Sequence, residues 1–207
     1  MVKIYKDLSQ DSSEWLEVRL GKFTASNFHI FLGNSETRKL EICKKAAERI
    51  TRVRCDQDCL LSNKHIERGN ALEPLARDAY EFETGNEVQE IGFVELADNI
   101  GYSPDGFVND DKLIEIKCVD NHHFLNLANK KVKKEHYTQI QFGLMVTDRK
   151  SLDYVLFNPN FPKSLIIQNI ERDEEYIAKI KEEIVRAEED VQKVLKEYAG
   201  IKEVKND

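Results

Sequence analysis

The apolar residues of this chain first change period at Gly85, and that change excludes most architectures. Upstream the period is helical. Between Glu36 and about Arg54, the positions Leu40, Ile42, Cys43, Ala46, Ala47, Ile50 and Val53 fall mostly in steps of three and four. A second long helix is expected to start after Ser62 or Asn63 and to reach Thr84, with Gly85 as its stop. Pro74 inside it predicts a kink, or two helices meeting there. Ser12 and Ser13 can cap a short helix from Glu14 and Trp15 that Gly21 ends, and Thr24 stands where a cap is needed ahead of Ala25 to Leu32. Downstream the period is two. Val88, Glu90 and the run Ile91 to Leu96 read as a strand, as do Gly101 to Ser103 and Lys112 to Cys118. Helices follow near Asn121 to Asn129 and Glu135 to Thr147. Strands Asp153 to Phe157 and Leu165 to Ile170 then flank a turn-rich stretch, and a helix from Asp173 to about Tyr198 ends the chain. Helices, a strand meander, then helices between further strands rule out a pure bundle and imply an α/β fold, a central mixed sheet flanked by helices.

The length of 207 residues, with 41% hydrophobic and 33% charged residues, suits one domain over residues 1–207: a core at about 12–170 and a C-terminal helix at about 173–199. Four prolines and nine glycines are scattered too widely to mark a linker or a repeat. No apolar run approaches the roughly 20 residues of a membrane helix, and the first fifteen residues are polar, so a cytoplasmic protein away from membranes is expected. Cys43, Cys55, Cys59 and Cys118 match neither zinc-ribbon spacing nor a secreted disulfide framework and read as free thiols. The net charge of −7, taken alone, argues against a polyanionic partner. In the last helix Ile177, Ile180, Ile184, Ala187, Val191, Val194 and Tyr198 form a seam that can dock on the body of the domain or on a second subunit.

Chemistry concentrates in Gly101-Tyr-Ser103-Pro-Asp105-Gly and Leu113-Ile-Glu115-Ile116-Lys117-Cys118. On a strand, Glu115 and Lys117 project from one face with Leu113, while Ile114 and Ile116 point oppositely. Asp105 comes from the preceding turn, and a hairpin can bring its carboxylate beside Glu115. Converging carboxylates suit a hard divalent cation, Mg²⁺ with Mn²⁺ as a possible substitute, and a neighbouring lysine can orient or deprotonate a water or stabilise charge on a phosphoryl oxygen. Glu73, set among Ala71, Leu72, Leu75, Ala76 and Ala79, is a carboxylate in apolar helical company that needs a partner. An exposed ion pair, a simple turn and a solvated helix face are the bland alternatives for these residues.

Together the blocks Trp15-Leu-Glu-Val-Arg19-Leu-Gly-Lys-Phe-Thr-Ala-Ser26, Gly69-Asn-Ala-Leu-Glu73-Pro, Ser103-Pro-Asp105-Gly, Glu115-Ile-Lys117-Cys118 and Tyr137-Thr-Gln139-Ile-Gln141 resemble the phage-type exonucleases similar to lambda exonuclease, the YqaJ-type alkaline exonucleases of the PD-(D/E)XK superfamily. The resemblance spans about residues 15–158 and implies a restriction-endonuclease-like core. It implies that Glu73, Asp105, Glu115 and the Ile116 carbonyl hold two Mg²⁺ ions and that Lys117 activates the attacking water. It also implies that Arg19 and Ser26, with Ser103 and Gln139 as companions, hold a terminal 5′-phosphate. The motif favours Gln139 over Gln141; periodicity does not choose between them. The implied activity is 5′-to-3′ digestion of one strand of linear double-stranded DNA to mononucleotides, by a homotrimeric ring with a single-strand-annealing partner protein. An endonuclease of the same fold and a non-catalytic DNA-binding subunit remain as alternatives.

Two basic segments could grip a duplex: residues 38–54, with seven bases and two acids, and residues 129–136, with four bases and one acid. His65, His122 and His123 read as surface residues before metal ligands. The acidic total is an average over unlike parts, since residues 171–207 alone hold 12 acids against 8 bases.

Overall fold

The computed structural model describes residues 2–55 and 64–201. Cys59, the side chain of His65 and the helix start expected near Ser62 lie outside the described residues. Two mixed sheets organise the chain. The larger has the order β3 (Val88–Gln89), β6 (Gly106–Val108), β7 (Lys112–Cys118), β8 (Ser151–Phe157), β9 (Leu165–Glu171), with β7 and β8 parallel and the other pairs antiparallel. The smaller has the order β1 (Lys3–Tyr5), β4 (Phe93–Ala97), β5 (Ile100–Tyr102), β2 (Phe23–Thr24). This second sheet, and with it β1 and β2, is not foreseen from the sequence, and β6 falls where a turn was expected. Strands of two or three residues are too short to show a period.

Strand β7 carries the alternation expected of it. Ile114 and Ile116 pack with Val108, Val155, Phe157, Ala76 and Tyr80 under α3 (Lys64–Thr84), which runs through Pro74 as one helix rather than two. Leu113, on the opposite face, joins the main core with Leu152, Tyr154 and Leu156. There the sheet packs beneath α5 (Lys134–Thr147), α6 (Glu174–Ala199) and a 3₁₀ segment, Ala25–Leu32. Thr24 makes no cap to that segment; it is tied into β2, paired with Gly101. A Cβ on Gly101 would stand 2.1 Å from the Phe93 ring, so only glycine lets the two strands close there.

Helices α1 (Ser13–Val18) and α2 (Glu36–Thr51) begin at serine caps: Ser12 accepts the Trp15 N–H and Ser35 the Arg38 N–H. Gly21, at φ +70°, turns the chain after α1. The seam of α6 docks on the body of the same domain, burying Ile177, Ile180, Ile184, Ala187 and Val191, while Tyr198 stays 57% exposed. The charges of α2 follow that docking. Arg49 forms a fork on Glu188 at 2.7 and 2.8 Å, and Arg38 meets Asp190 at 2.6 Å. The expectation that this segment offers its basic residues to a duplex is therefore narrowed: Arg38 and Arg49, two of its seven bases, are spent on the acidic face of α6. Short α4 (Asn121–Leu127) follows β7, capped by Asp120.

Candidate active site

The site lies where the ladder between β6 and β7 stops. That ladder ends at Gly106 opposite Ile114, whereas β8 accompanies β7 to Cys118. Beyond Ile114 one edge of β7 has lost its strand partner, and Asp105, just ahead of β6, takes over: its Oδ2 accepts the Ile116 N–H at 2.6 Å. The N–H and C=O of one strand residue point to the same edge, so the Ile116 carbonyl also faces the Asp105 side.

On the α5 face of β7, Glu115 is buried, and its Oε1 accepts from the Lys117 Nζ and from the Gln139 Nε2, each at 2.6 Å. The Tyr102 hydroxyl lies 3.4 Å from its Oε2. The choice between the two glutamines is thus structural. Gln139 reaches Glu115, while Gln141 turns away to the Glu171 carbonyl at 2.9 Å and the Asp173 N–H at 2.9 Å. One turn before Gln139, His136 Nδ1 meets the Tyr154 hydroxyl at 2.7 Å, beside Glu115 in the strand register. Burial, with Lys117 nearby, pulls the His136 pKa down. Tyr102 and His136 escaped the sequence reading; their signal was their position, in or beside the motif blocks.

Glu73 comes from α3, held at 2.8 Å by Arg77, which also reaches Glu90 at 2.7 Å. Glu73, Asp105 and Arg77 line a cavity of about 410 Å³ with Gln10, Asp11 and Asn70. Burial, then the Glu115 and Glu73 charges, hold the Asp105 carboxyl well above the usual carboxylate range. Burial raises Glu73 too, against Arg77, and Glu115 adds to the rise. Burial would lower the Lys117 pKa, but the Glu115 and Asp105 charges outweigh it and the net shift is upward. Three carboxylates thus feel one another's charge, with Lys117 and Arg77 offsetting part of it, although their oxygens do not all lie within 4.8 Å of one another. Their oxygens, with the Ile116 carbonyl, are the donor set a hard divalent cation takes, so the residues present fit Mg²⁺.

A second, cationic pocket is linked to the Asp105 loop through Arg19 and Ser103. Arg19 donates to the Ser103 Oγ at 2.8 Å and stacks on Trp15, 4.0 Å from the ring. Trp15 donates to the same hydroxyl at 2.9 Å. Ser103 stands two residues before Asp105, on a turn that Gln10 clamps through the Pro104 carbonyl at 2.9 Å. Arg19 and exposed Ser26 line a cavity of about 120 Å³ with Asn27, Lys45, Glu48 and Arg54. Gln139 belongs to the carboxylate cluster by its hydrogen bond, and Ser103 lies between the two groups.

His122 and His123 form an exposed group with Asp120, their ligand atoms within 4.8 Å of one another. Asp120 is already committed there as the cap that accepts the His123 N–H at 3.2 Å. Cys43 and Cys118 are free thiols.

Mixed sheets flanked by helices, with a carboxylate and a lysine on one strand and a second carboxylate from the hairpin before it, constitute the PD-(D/E)XK-like fold. Residues 14–150 match the YqaJ-like viral recombinase domain, and the chain belongs to that family. Among solved structures it is 31% identical to LHK-Exo in complex with dAMP, over 91% of this chain and 98% of that one, with a TM-score of 0.80. The alkaline exonuclease LHK-Exo from Laribacter hongkongensis matches at 29% identity over 91% and 98% of the two chains, TM-score 0.77. A phage related exonuclease from Haemophilus somnus 129PT shares the fold at 22% identity over 86% and 96%, TM-score 0.68. A comparison with curated proteins finds no match. Among the described residues no helix is long and apolar enough to cross a membrane.

Proposed function

We propose that this chain is a Mg²⁺-dependent 5′-to-3′ exonuclease that degrades one strand of linear double-stranded DNA to mononucleotides and leaves a 3′ single strand for recombination. The observation that carries this reading is the Arg19–Ser103 hydrogen bond. It ties a cationic pocket to the loop that bears Asp105, so a DNA end held by its phosphate would present its first phosphodiester to the carboxylates. Membership of a viral recombinase family and likeness to alkaline exonucleases support the nuclease class. One relative's structure holds dAMP, and a mononucleotide is what the proposed reaction releases.

Glu73, Asp105, Glu115 and the Ile116 carbonyl would hold two Mg²⁺ ions, with Mn²⁺ as a substitute; such ions, when bound, offset the charge that gathers in an in-line displacement at phosphorus. Lys117, hydrogen-bonded to Glu115, would orient the attacking water and steady charge on a phosphoryl oxygen. Gln139 donates to the same Glu115 oxygen as Lys117 and so helps to hold that carboxylate in place. Arg19 offers its planar fork, and Ser26 its hydroxyl, to the terminal phosphate. The proposal extends to a homotrimeric ring around the DNA and to a single-strand-annealing partner protein, in keeping with the family.

The test is digestion of 5′-phosphorylated linear duplex with Mg²⁺ or EDTA, beside covalently closed circular DNA. The 5′-ended strand of the linear substrate should disappear only with Mg²⁺, and the circle should survive. Lys117→Ala should slow the reaction by about 10²–10³-fold. Cutting of the circle would favour the endonuclease alternative. Wild-type inactivity from pH 7 to 9, or full activity of Lys117→Ala, would refute the mechanism.

A further inference from the structure

Two arginines from distant parts of the chain line one cavity with Ser26. Arg19 ends α1. Arg54 arrives from beyond α2, where Arg52 adopts the left-handed conformation at φ +57° and turns the chain back. The turn is pinned by the Cys55 N–H on Glu48 at 3.3 Å. Both arginines line the cavity of about 120 Å³ that also exposes Ser26, Asn27, Lys45 and Glu48.

The charges in that cavity divide into two kinds. Lys45 and Glu48 are buried and joined at 3.0 Å, and Glu48 also accepts the Gly21 N–H at 3.1 Å, so this pair is closed on itself. Arg19 and Arg54 differ: among the described residues neither has a carboxylate within ion-pair distance. Their proximity is felt electrostatically. Burial first, then the Arg54 charge, push the Arg19 pKa down to about 10 against the pull of Asp11. Two like charges facing one small polar cavity without a counter-ion are unfavourable until an anion enters.

We infer that Arg54 is the second cation of the end-phosphate pocket and makes it selective for a doubly charged terminal phosphate over a singly charged phosphodiester or a 5′-hydroxyl. This rests on the reading of Arg19 and Ser26 as the pocket for a DNA end. A phosphate monoester has its second pKa near about 6 and carries close to two negative charges above neutral pH, whereas a diester carries one. Two uncompensated guanidiniums match the monoester. Residue 54 lies outside every motif block that carries the family resemblance, so selectivity is built here by a residue the motifs do not mark.

The experiment compares initial rates on linear duplexes with 5′-phosphate and 5′-hydroxyl ends, in Mg²⁺ at fixed ionic strength. The enzymes are the wild type, Arg54→Gln, Arg54→Lys and, as a distant control, Arg186→Gln on the exposed face of α6. Wild type and control should prefer the phosphorylated end. Arg54→Gln should lose about tenfold or more of that preference, chiefly as a higher KM, the size expected for one charge-assisted hydrogen bond. Arg54→Lys should recover part of it, since the charge remains and the fork does not. If the wild type prefers the phosphorylated end and Arg54→Gln keeps the wild-type ratio while folded by circular dichroism, the role of Arg54 is overturned and the pocket stands. If the wild type shows no preference, the end-phosphate pocket fails, and this inference with it.

Discussion

Glu115 and Asp153 sit on adjacent strands of one sheet, at 2% and 4% exposure, and they have opposite fates. Asp153 lies on the α3 face and is saturated: the Tyr80 hydroxyl at 2.6 Å, the Asn169 amide at 2.7 Å and the Lys112 ammonium at 3.0 Å all donate to it. One anion meets one cation and two neutral donors. Glu115 lies on the α5 face and meets Lys117 and Gln139, but it also shares its surroundings with Asp105 and Glu73. Burial alone therefore does not mark a functional acid. What separates the two is uncompensated charge: one group is complete as folded, and the other is completed by something that brings positive charge.

The sharpest way to break this contrast is to remove charge on each side. Asp105→Asn should reduce nuclease activity by at least about 10³-fold, since a metal site contributes several kcal/mol of charge stabilisation. The same change relieves like-charge repulsion, so the thermal midpoint of the metal-free protein should hold or rise. Asp153→Ala should do the reverse. It leaves buried donors unpaired and should cost about 3 kcal/mol of stability in urea unfolding, while the folded fraction keeps its activity. Loss of stability in Asp105→Asn, or loss of turnover in well-folded Asp153→Ala, would erase the distinction.

Ligand addition sharpens it further. Mg²⁺ at about 100 times its dissociation constant should stabilise the wild type by about 2.7 kcal/mol and leave Asp105→Asn nearly unmoved. Without the ion, Asp105 works against folding as it ionises. Its folded pKa lies well above its ordinary 3.8, so the native state holds the extra proton and this group's contribution declines as pH rises through that interval. Mg²⁺ should therefore stabilise most at the alkaline end of a midpoint-against-pH series. An increment equal at pH 5 and pH 9 would count against a carboxylate metal site.

The saturated and the unsaturated acid were not equally legible in the sequence. Glu115 and Lys117 could be placed together because strand alternation is local, and the limits of β7 coincide with the apolar pattern of residues 112–118. The Ser12 cap was equally legible, whereas Thr24, also read as a cap, makes no cap hydrogen bond. Asp153 was read only as a strand residue, because its three partners come from positions 80, 112 and 169. Two bases of the run 38–54 were opaque for the same reason: the counter-charges of Arg49 and Arg38, Glu188 and Asp190, are 139 and 152 residues away. Strand β1 pairs Lys3 with Glu95, and no local period announces such a pairing. Gln139 and Gln141 differ by about 200° around a helix, so the sequence shows that they diverge without showing which one faces β7.

A carboxylate outside both clusters gives the comparison its reference point. Glu188 joins α6 to α2 through the Arg49 fork, with Asn99 at 2.9 Å and Gln192 at 2.8 Å as further donors. Those bonds, Arg49 foremost and against some burial, bring its pKa down to about 2. The sign is opposite to that of Asp105. A folded pKa below the ordinary 4.5 means that the unfolded chain binds the proton more readily, so the Glu188 contribution is complete above about pH 4.5 and is lost as pH falls toward 2. Glu188→Gln should therefore lower the urea midpoint modestly at pH 7, by the small amount typical of a partly exposed pair, and the gap to wild type should narrow steadily as pH falls from 4.5 toward 2. A gap that persists unchanged to pH 3 would place the Glu188 contribution in packing, and Arg38 with Asp190 would then be the charged pair that holds α2 to α6 beside the apolar seam.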